Sequence, residues 1–129
     1  MVTCDVCDVP LARARLPTDL RSHAGGAPGV GICPLCLRTK PVENAPETDR
    51  LDSVGDYFPR GDGGAAVALA LGMLDSLALN RAAVTALADR AEREGADVLL
   101  TLDRLAGDES LDPHFDVERR RSQVEQFLE

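Results

Sequence analysis

The sequence predicts an α+β fold in which a short β-hairpin module at the N-terminus precedes an all-α helical bundle. Three observations carry this expectation. Two Cys-x-x-Cys pairs, Cys4/Cys7 and Cys33/Cys36, enclose 25 residues with hairpin patterning. A stretch dense in proline and glycine follows them, as between separate modules. Beyond it, runs rich in Ala, Leu and Val are long enough to be helices rather than strands. The expected boundaries are 1–42 for the cysteine module, 43–63 for a linker and 64–129 for the helical domain.

In a Cys-x-x-Cys turn two thiolates grip one ion, and two such turns complete a tetrahedron. Leu11–Leu16 alternates in part like a strand, and Val30-Gly31-Ile32 leads into the second turn. A helical turn is expected over Pro17–His23, ahead of the glycine-rich loop Gly25–Gly29. Turn, strand, loop, strand, turn is the layout of a zinc ribbon. Cys4, Cys7, Cys33 and Cys36 are therefore the expected ligands of one structural Zn2+. Structural disulfides would require an oxidising compartment. Dithiol redox chemistry favours one pair at a helix N-terminus, whereas Pro10 and Pro41 closely follow the pairs here. Iron also accepts four thiolates, but the segment has no aromatic residue to wrap such a centre. These three readings rank below zinc. His23 could ligate only in place of a cysteine, and four thiolates leave no position open for water or substrate.

The 129 residues carry a formal charge of -8, with 22 acidic against 14 basic residues. This disfavours non-specific attraction to nucleic acid or anionic lipid. The excess of acid lies beyond Lys40, the only lysine. Acid dominated by Asp, a single lysine and small apolar residues point to a cytoplasm of very high salt, where screening relieves self-repulsion; a high-GC genome is the bland alternative. No secretory leader is legible. The apolar run Ala65–Leu74 is short of the roughly 20 residues of a membrane span. A cytoplasmic protein is expected.

In the linker, Tyr57 and Phe58 are expected to dock onto the helices, and Asp62 to cap the first of them. That helix runs over Ala65–Leu79. Asn80 is the expected cap of a second, with Leu79 and Val84 as a hydrophobic staple, a stripe of Val84, Leu87, Ala88 and Ala91, and Gly95 as the stop. A third, capped by Asp97 and ended by Gly107, presents Val98, Leu99, Leu102 and Leu105. These three would form an antiparallel bundle. A last helix, entered at Asp112-Pro113 or Asp116, runs to the end with a stripe of Val117, Val124 and Leu128 that Arg120 and Arg121 interrupt.

Three further groups need weighing. Arg119, Arg120 and Arg121 are the one concentrated basic run, either a docking site for phosphate or an acidic partner or members of a salt-bridged helix with Glu118 and Glu125. Arg13, Arg15 and Arg21 could meet phosphates, or simply be solvated, and no aromatic platform for bases accompanies them. Asp112, His114 and Asp116 could be ligands or an acid–base pair, but neither a nucleophile beside them nor a phosphate loop is recognisable. No enzyme and no small-molecule substrate are expected.

The paired cysteines, Leu71-Gly-Met-Leu-Asp-Ser-Leu-Ala-Leu-Asn-Arg81 and Leu111-Asp-Pro-His-Phe-Asp-Val-Glu-Arg-Arg-Arg121 together resemble a family of small haloarchaeal zinc-ribbon-like proteins of unknown function. The resemblance covers nearly the whole chain. It implies the high-salt origin and the zinc, and no activity. The expected function is a non-enzymatic zinc-binding adaptor whose helical half meets a protein partner or a second copy. The alternative is a nucleic-acid-associated regulator using Arg13, Arg15 and Arg21.

Overall fold

The computed structural model describes residues 2–128. The fold is mixed α/β, with a small three-stranded antiparallel sheet and several helices. Strands β1 (Ala12–Arg15), β2 (Gly29–Ile32) and β3 (Thr39–Val42) lie in that order. In register, Arg13 faces Gly31 and Gly31 faces Lys40, while Ala14 faces Val30 and Val30 faces Pro41. The period of two sends Ala12, Ala14, Val30 and Ile32 to one face, where all four are buried. A 3-10 helix, Thr18–Ala24, joins β1 to β2 and ends at Gly25 in the left-handed region (φ 65°), a conformation that favours glycine. The hairpin and its helical turn follow the expectation, while β3 extends it. Pro41 and Lys40 conceal that strand, and its position at the sheet edge is where a proline is tolerated.

Helix α1 (Gly61–Leu71) is buried continuously from Gly63 to Leu71 because it lies between the inner face of the sheet and α2 (Leu77–Arg93). Alanine at 65, 66, 68 and 70 lets backbones approach on both sides. Where the sequence suggested one helix through Leu79, the chain breaks after Leu71. A Cβ on Gly72 would stand 1.9 Å from Thr39 Oγ1 on β3, so the helix end is pressed against the sheet, and a separate 3-10 turn, Leu74–Ser76, follows. Helix α2 kinks at Asn80, which is non-helical (φ -119°, ψ 16°), so a helical segment does begin after Asn80 as expected, while a first turn from Leu77 precedes the kink. The Asn80 side-chain amide donates to Ser76 O at 3.0 Å. Leu79 is 88% exposed, so the expected staple does not form. Gly95 has the left-handed φ of 86° and ends the helix region as expected.

Helix α3 (Val98–Ala106) is capped by Asp97, whose carboxylate accepts from Leu100 N at 3.1 Å. It buries Val98, Thr101, Leu102 and Leu105. Helix α4 (Val117–Leu128) begins at Asp116, which accepts from Arg119 N at 3.1 Å, and packs against α3. Helix α1 thus pairs chiefly with α2, and α3 with α4. Among the described residues no single helix is long and apolar enough to cross a membrane.

One apolar core runs from Ala12 and Ile32 through Leu51, Val54 and Phe58 to Leu71, Leu87, Leu102 and Val124. Segment 43–63 therefore has the composition of a linker but contributes Leu51, Val54 and Phe58, all buried. Asp62 does not cap α1; Asp49 does so from twelve residues upstream. Its carboxylate accepts from Gly61 N at 2.8 Å and Leu51 N at 3.2 Å, and pairs with Arg60 at 2.6 Å. A second, smaller cluster of Cys4, Leu11, Cys33, Cys36 and Val42 sits apart from the main core.

Candidate metal centre

The two cysteine turns are built alike. In the first, Cys4 N donates to Val9 O at 2.9 Å and Asp8 N returns to Cys4 O at 2.9 Å; in the second, Cys33 N donates to Arg38 O at 2.8 Å and Leu37 N to Cys33 O at 3.1 Å. In each, the residue after the second cysteine has a positive φ, 56° at Asp8 and 69° at Leu37. Such a φ is uncommon for any residue with a side chain and more so for a buried leucine. Strain repeated at equivalent places of two turns is a hallmark of a functional constraint. The bend turns backbone amides onto sulfur. Cys7 N donates to Cys4 Sγ at 3.5 Å, and Leu35 N and Cys36 N donate to Cys33 Sγ at 3.4 Å each.

These turns bring Cys4, Cys7, Cys33 and Cys36 together, with all four Sγ atoms within 4.8 Å of one another. Cys4 and Cys36 are 3.7 Å apart, close to the edge of about 3.8 Å that a tetrahedron with metal–sulfur bonds of about 2.3 Å requires. Cys4, Cys33 and Cys36 are buried, and Cys7 is partly exposed. The donor set and its spacing fit a structural metal ion.

The thiols are tuned apart. The amides of Cys7 and Val6, opposed by burial, bring Cys4 down to about 7. Burial, reinforced by Cys36 and Cys33, pushes Cys7 up to about 12, and burial also raises Cys33. Four thiolates this close repel one another, so a cation must accompany their joint ionisation. Arg38 supplies part of that compensation; its interaction with Cys36 raises the arginine above its ordinary value. Lys40 Nζ meets Asp5 Oδ1 at 3.4 Å on the first turn.

A family model described as a family of unknown function (DUF6276) matches residues 3–128. The chain belongs to this family. No curated protein and no solved structure matches it.

The match embraces both the cysteine turns and the remaining groups singled out in the sequence. Arg13 and Arg15 share the outer face of the sheet with Lys40. Arg13 donates to Asn44 O at 3.0 Å, and Arg21, off the sheet, donates to Leu16 O at 3.1 Å. Arg121 is bound into α3 and its own helix by Asp103 at 2.8 Å and Glu125 at 2.7 Å; Glu118, the other expected partner, takes no part in these pairs. Arg120 donates to Gln123 at 2.9 Å, whereas Arg119 is exposed and its side chain pairs with no other described residue. His23 lies in the 3-10 helix and outside the cysteine group.

Asp112, His114 and Asp116 do not converge as a site. Asp116 is a helix cap, while Asp112 N donates to Leu35 O at 2.8 Å and His114 N to Cys36 O at 3.0 Å. His114 Nδ1 also lies 2.8 Å from Cys36 O. A carbonyl only accepts, so that nitrogen carries the proton. Neither Arg38 nor this strap over the second cysteine turn belongs to the site that the sequence predicts. The only sequence signal for Arg38 is a cation two residues past a ligand. The strap, some 75 residues from the turn it touches, has none.

Proposed function

We propose that the chain is a non-enzymatic adaptor in which Cys4, Cys7, Cys33 and Cys36 hold one structural zinc ion and the helical half meets a protein partner or a second copy. The observation that carries the metal half of this reading is the duplicated turn, which converges four thiols at tetrahedral spacing. Zinc fits that soft, closed donor set better than harder cations do. With four protein ligands the ion would have no open position for a substrate, and the neighbouring Asp116 and His114 are engaged in backbone contacts. This is why we favour a binding role over catalysis. For the partner surface we favour the exposed side of α4 at Arg119, the exposed member of the basic run, whose side chain pairs with no other described residue. The acid dominated by Asp, the single lysine and the family resemblance support a cytoplasm of very high salt.

Elemental analysis of protein purified in high salt without added metal, coupled to light scattering, tests the reading. One zinc per chain is the expected result, and the mass distinguishes a second copy from a different partner. Iron, or metal-free reactive thiols, would overturn it.

A second reading, contact with nucleic acid, is favoured by Arg13 and Arg15 sharing one face with Lys40. It requires salt-dependent retention of RNA or DNA that disappears when Arg13, Arg15 and Arg21 are replaced.

A further inference from the structure

Only two side chains of α4, Val117 and Val124, are buried among the described residues. Phe127 and Leu128 pack half-buried against the core, the ion pairs of the helix centre on Arg121, Arg120 reaches Asp75 O at 3.4 Å, and Arg81 lies 5.2 Å over the Phe127 ring. A helix of 12 residues is marginal on its own in water, and an element with so few buried contacts belongs to the part of a fold that opens most readily. What precedes it is unusual. Residues 112–114 are not helical; they lie along the second cysteine turn, making the backbone bonds from Asp112 to Leu35 and from His114 to Cys36, with the imidazole adding its own to the same Cys36 oxygen. His114 is further braced edge-on by Phe115, their ring centroids 5.0 Å apart. Leu35 and Cys36 have these carbonyl directions only while the turn holds its bent form, with Leu37 at positive φ. A ligated Cys33/Cys36 pair fixes that form.

We propose that the strap 111–116 couples metal occupancy to the docking of α4, with His114 as the positioning residue. Metal at the four cysteines keeps the Leu35 and Cys36 carbonyls aimed at the strap, and the strap delivers Val117 to the core at the start of α4. Loss of metal frees the turn, the strap and then the helix, while α1, enclosed by sheet and α2, stays folded. The inference rests on the metal reading above and extends it from a local staple to a control on the far end of the chain.

Hydrogen exchange of the full chain, with and without chelation of its metal, tests the coupling, with metal content measured on the same samples. Exchange over 112–128 is expected to accelerate about tenfold or more on metal removal, within the range of ordinary coupling between sites, while 61–71 remains protected. Coupling is reciprocal, so His114→Phe, which keeps ring bulk and loses the donor, should lower zinc affinity by a similar factor. His114→Asn restores a side-chain N–H near the position of Nδ1 and should recover most of the loss. Unchanged protection of 112–128 in a chain that has lost its metal overturns the coupling and leaves the metal reading intact. So does equal affinity in wild type and His114→Phe. A chain that binds no metal overturns both.

Discussion

The hydroxyl of Tyr57 donates to Asp108 Oδ2 at 2.7 Å across 51 residues of sequence. This ties the segment ahead of α1 to the turn that ends α3. Burial and the Asp108 carboxylate push the Tyr57 phenol above its ordinary value, so it is a donor at neutral pH. Ser110 first, and then Tyr57, hold Asp108 below the usual carboxylate value. Tyr57→Phe removes one charge-assisted hydrogen bond and leaves the ring in place. The expected loss is about 1–2 kcal/mol, read as a lower midpoint in chemical denaturation with an unchanged slope. A midpoint equal to wild type would mean that the bond only decorates the surface.

Asp49 makes a pH-dependent prediction. Burial acts to raise its pKa, but the amides of Gly61 and Leu51 and the Arg60 guanidinium together outweigh burial and leave it below the ordinary 3.8. A carboxyl depressed in the folded state stabilises fully above its unfolded pKa and loses that contribution as the pH falls through the folded value. The contribution of Asp49 should therefore be complete at neutral pH and decline below about 3.8. Asp49→Asn should cost about 1–2 kcal/mol at pH 7 through the lost charge and weakened cap. The gap between variant and wild type should narrow in acid. Denaturant melts from pH 7 to pH 3 measure it, and a constant gap would show that the charge is not what matters.

These two contacts show where sequence reading stops. The cysteine turns, the Asp97 cap and the Gly95 and Gly107 stops were legible because each depends on residues within a few positions of one another, and the hairpin because its strands and its glycine-rich loop each carry a local pattern. Asp49 capping a helix twelve residues downstream, and His114 reaching Cys36, depend on how the chain returns in space, for which local pattern carries no signal. The break after Leu71 was hidden for a related reason. Ala65–Leu74 is apolar throughout, so no periodicity marks the place where Gly72 meets Thr39 on β3.

Close approach at glycine gives a paired prediction. A Cβ on Gly64 would lie 2.0 Å from Pro59 O and 2.8 Å from Leu51 Cδ1. The carbonyl is backbone and cannot swing away. Gly64→Ala should cost about 2–3 kcal/mol, as overpacking does, and lower the thermal midpoint by several degrees. Gly107 is the contrast, because its nearest atoms are 3.7 Å and 3.9 Å from a built Cβ and its φ of -90° suits any residue. Gly107→Ala should be neutral or slightly stabilising, by up to about 1 kcal/mol. Equal losses at both positions would indicate that the Pro59 contact does not set the cost, since alanine is the better helix former at either position.

Replacing a ligand probes how far the metal reaches. Cys33 is fully buried, in the small cluster with Cys4, Leu11, Cys36 and Val42 that stands apart from the main core. Cys33→Ser should abolish stoichiometric metal binding, since a hydroxyl is a poor substitute for a thiolate at a soft closed site. The first turn, the second turn and the strap should then lose their fixed form. The main core keeps its own apolar members, from Ala14 and Ile32 to Leu74, Leu87 and Leu102, so α1 and α2 should persist and most of the helical far-ultraviolet signal with them. Circular dichroism with metal analysis on the same sample decides the matter. Loss of all helical signal along with the metal would mean that the small cluster and the main core unfold as one cooperative unit, because the sheet that carries the cysteine turns also packs its inner face on the helices.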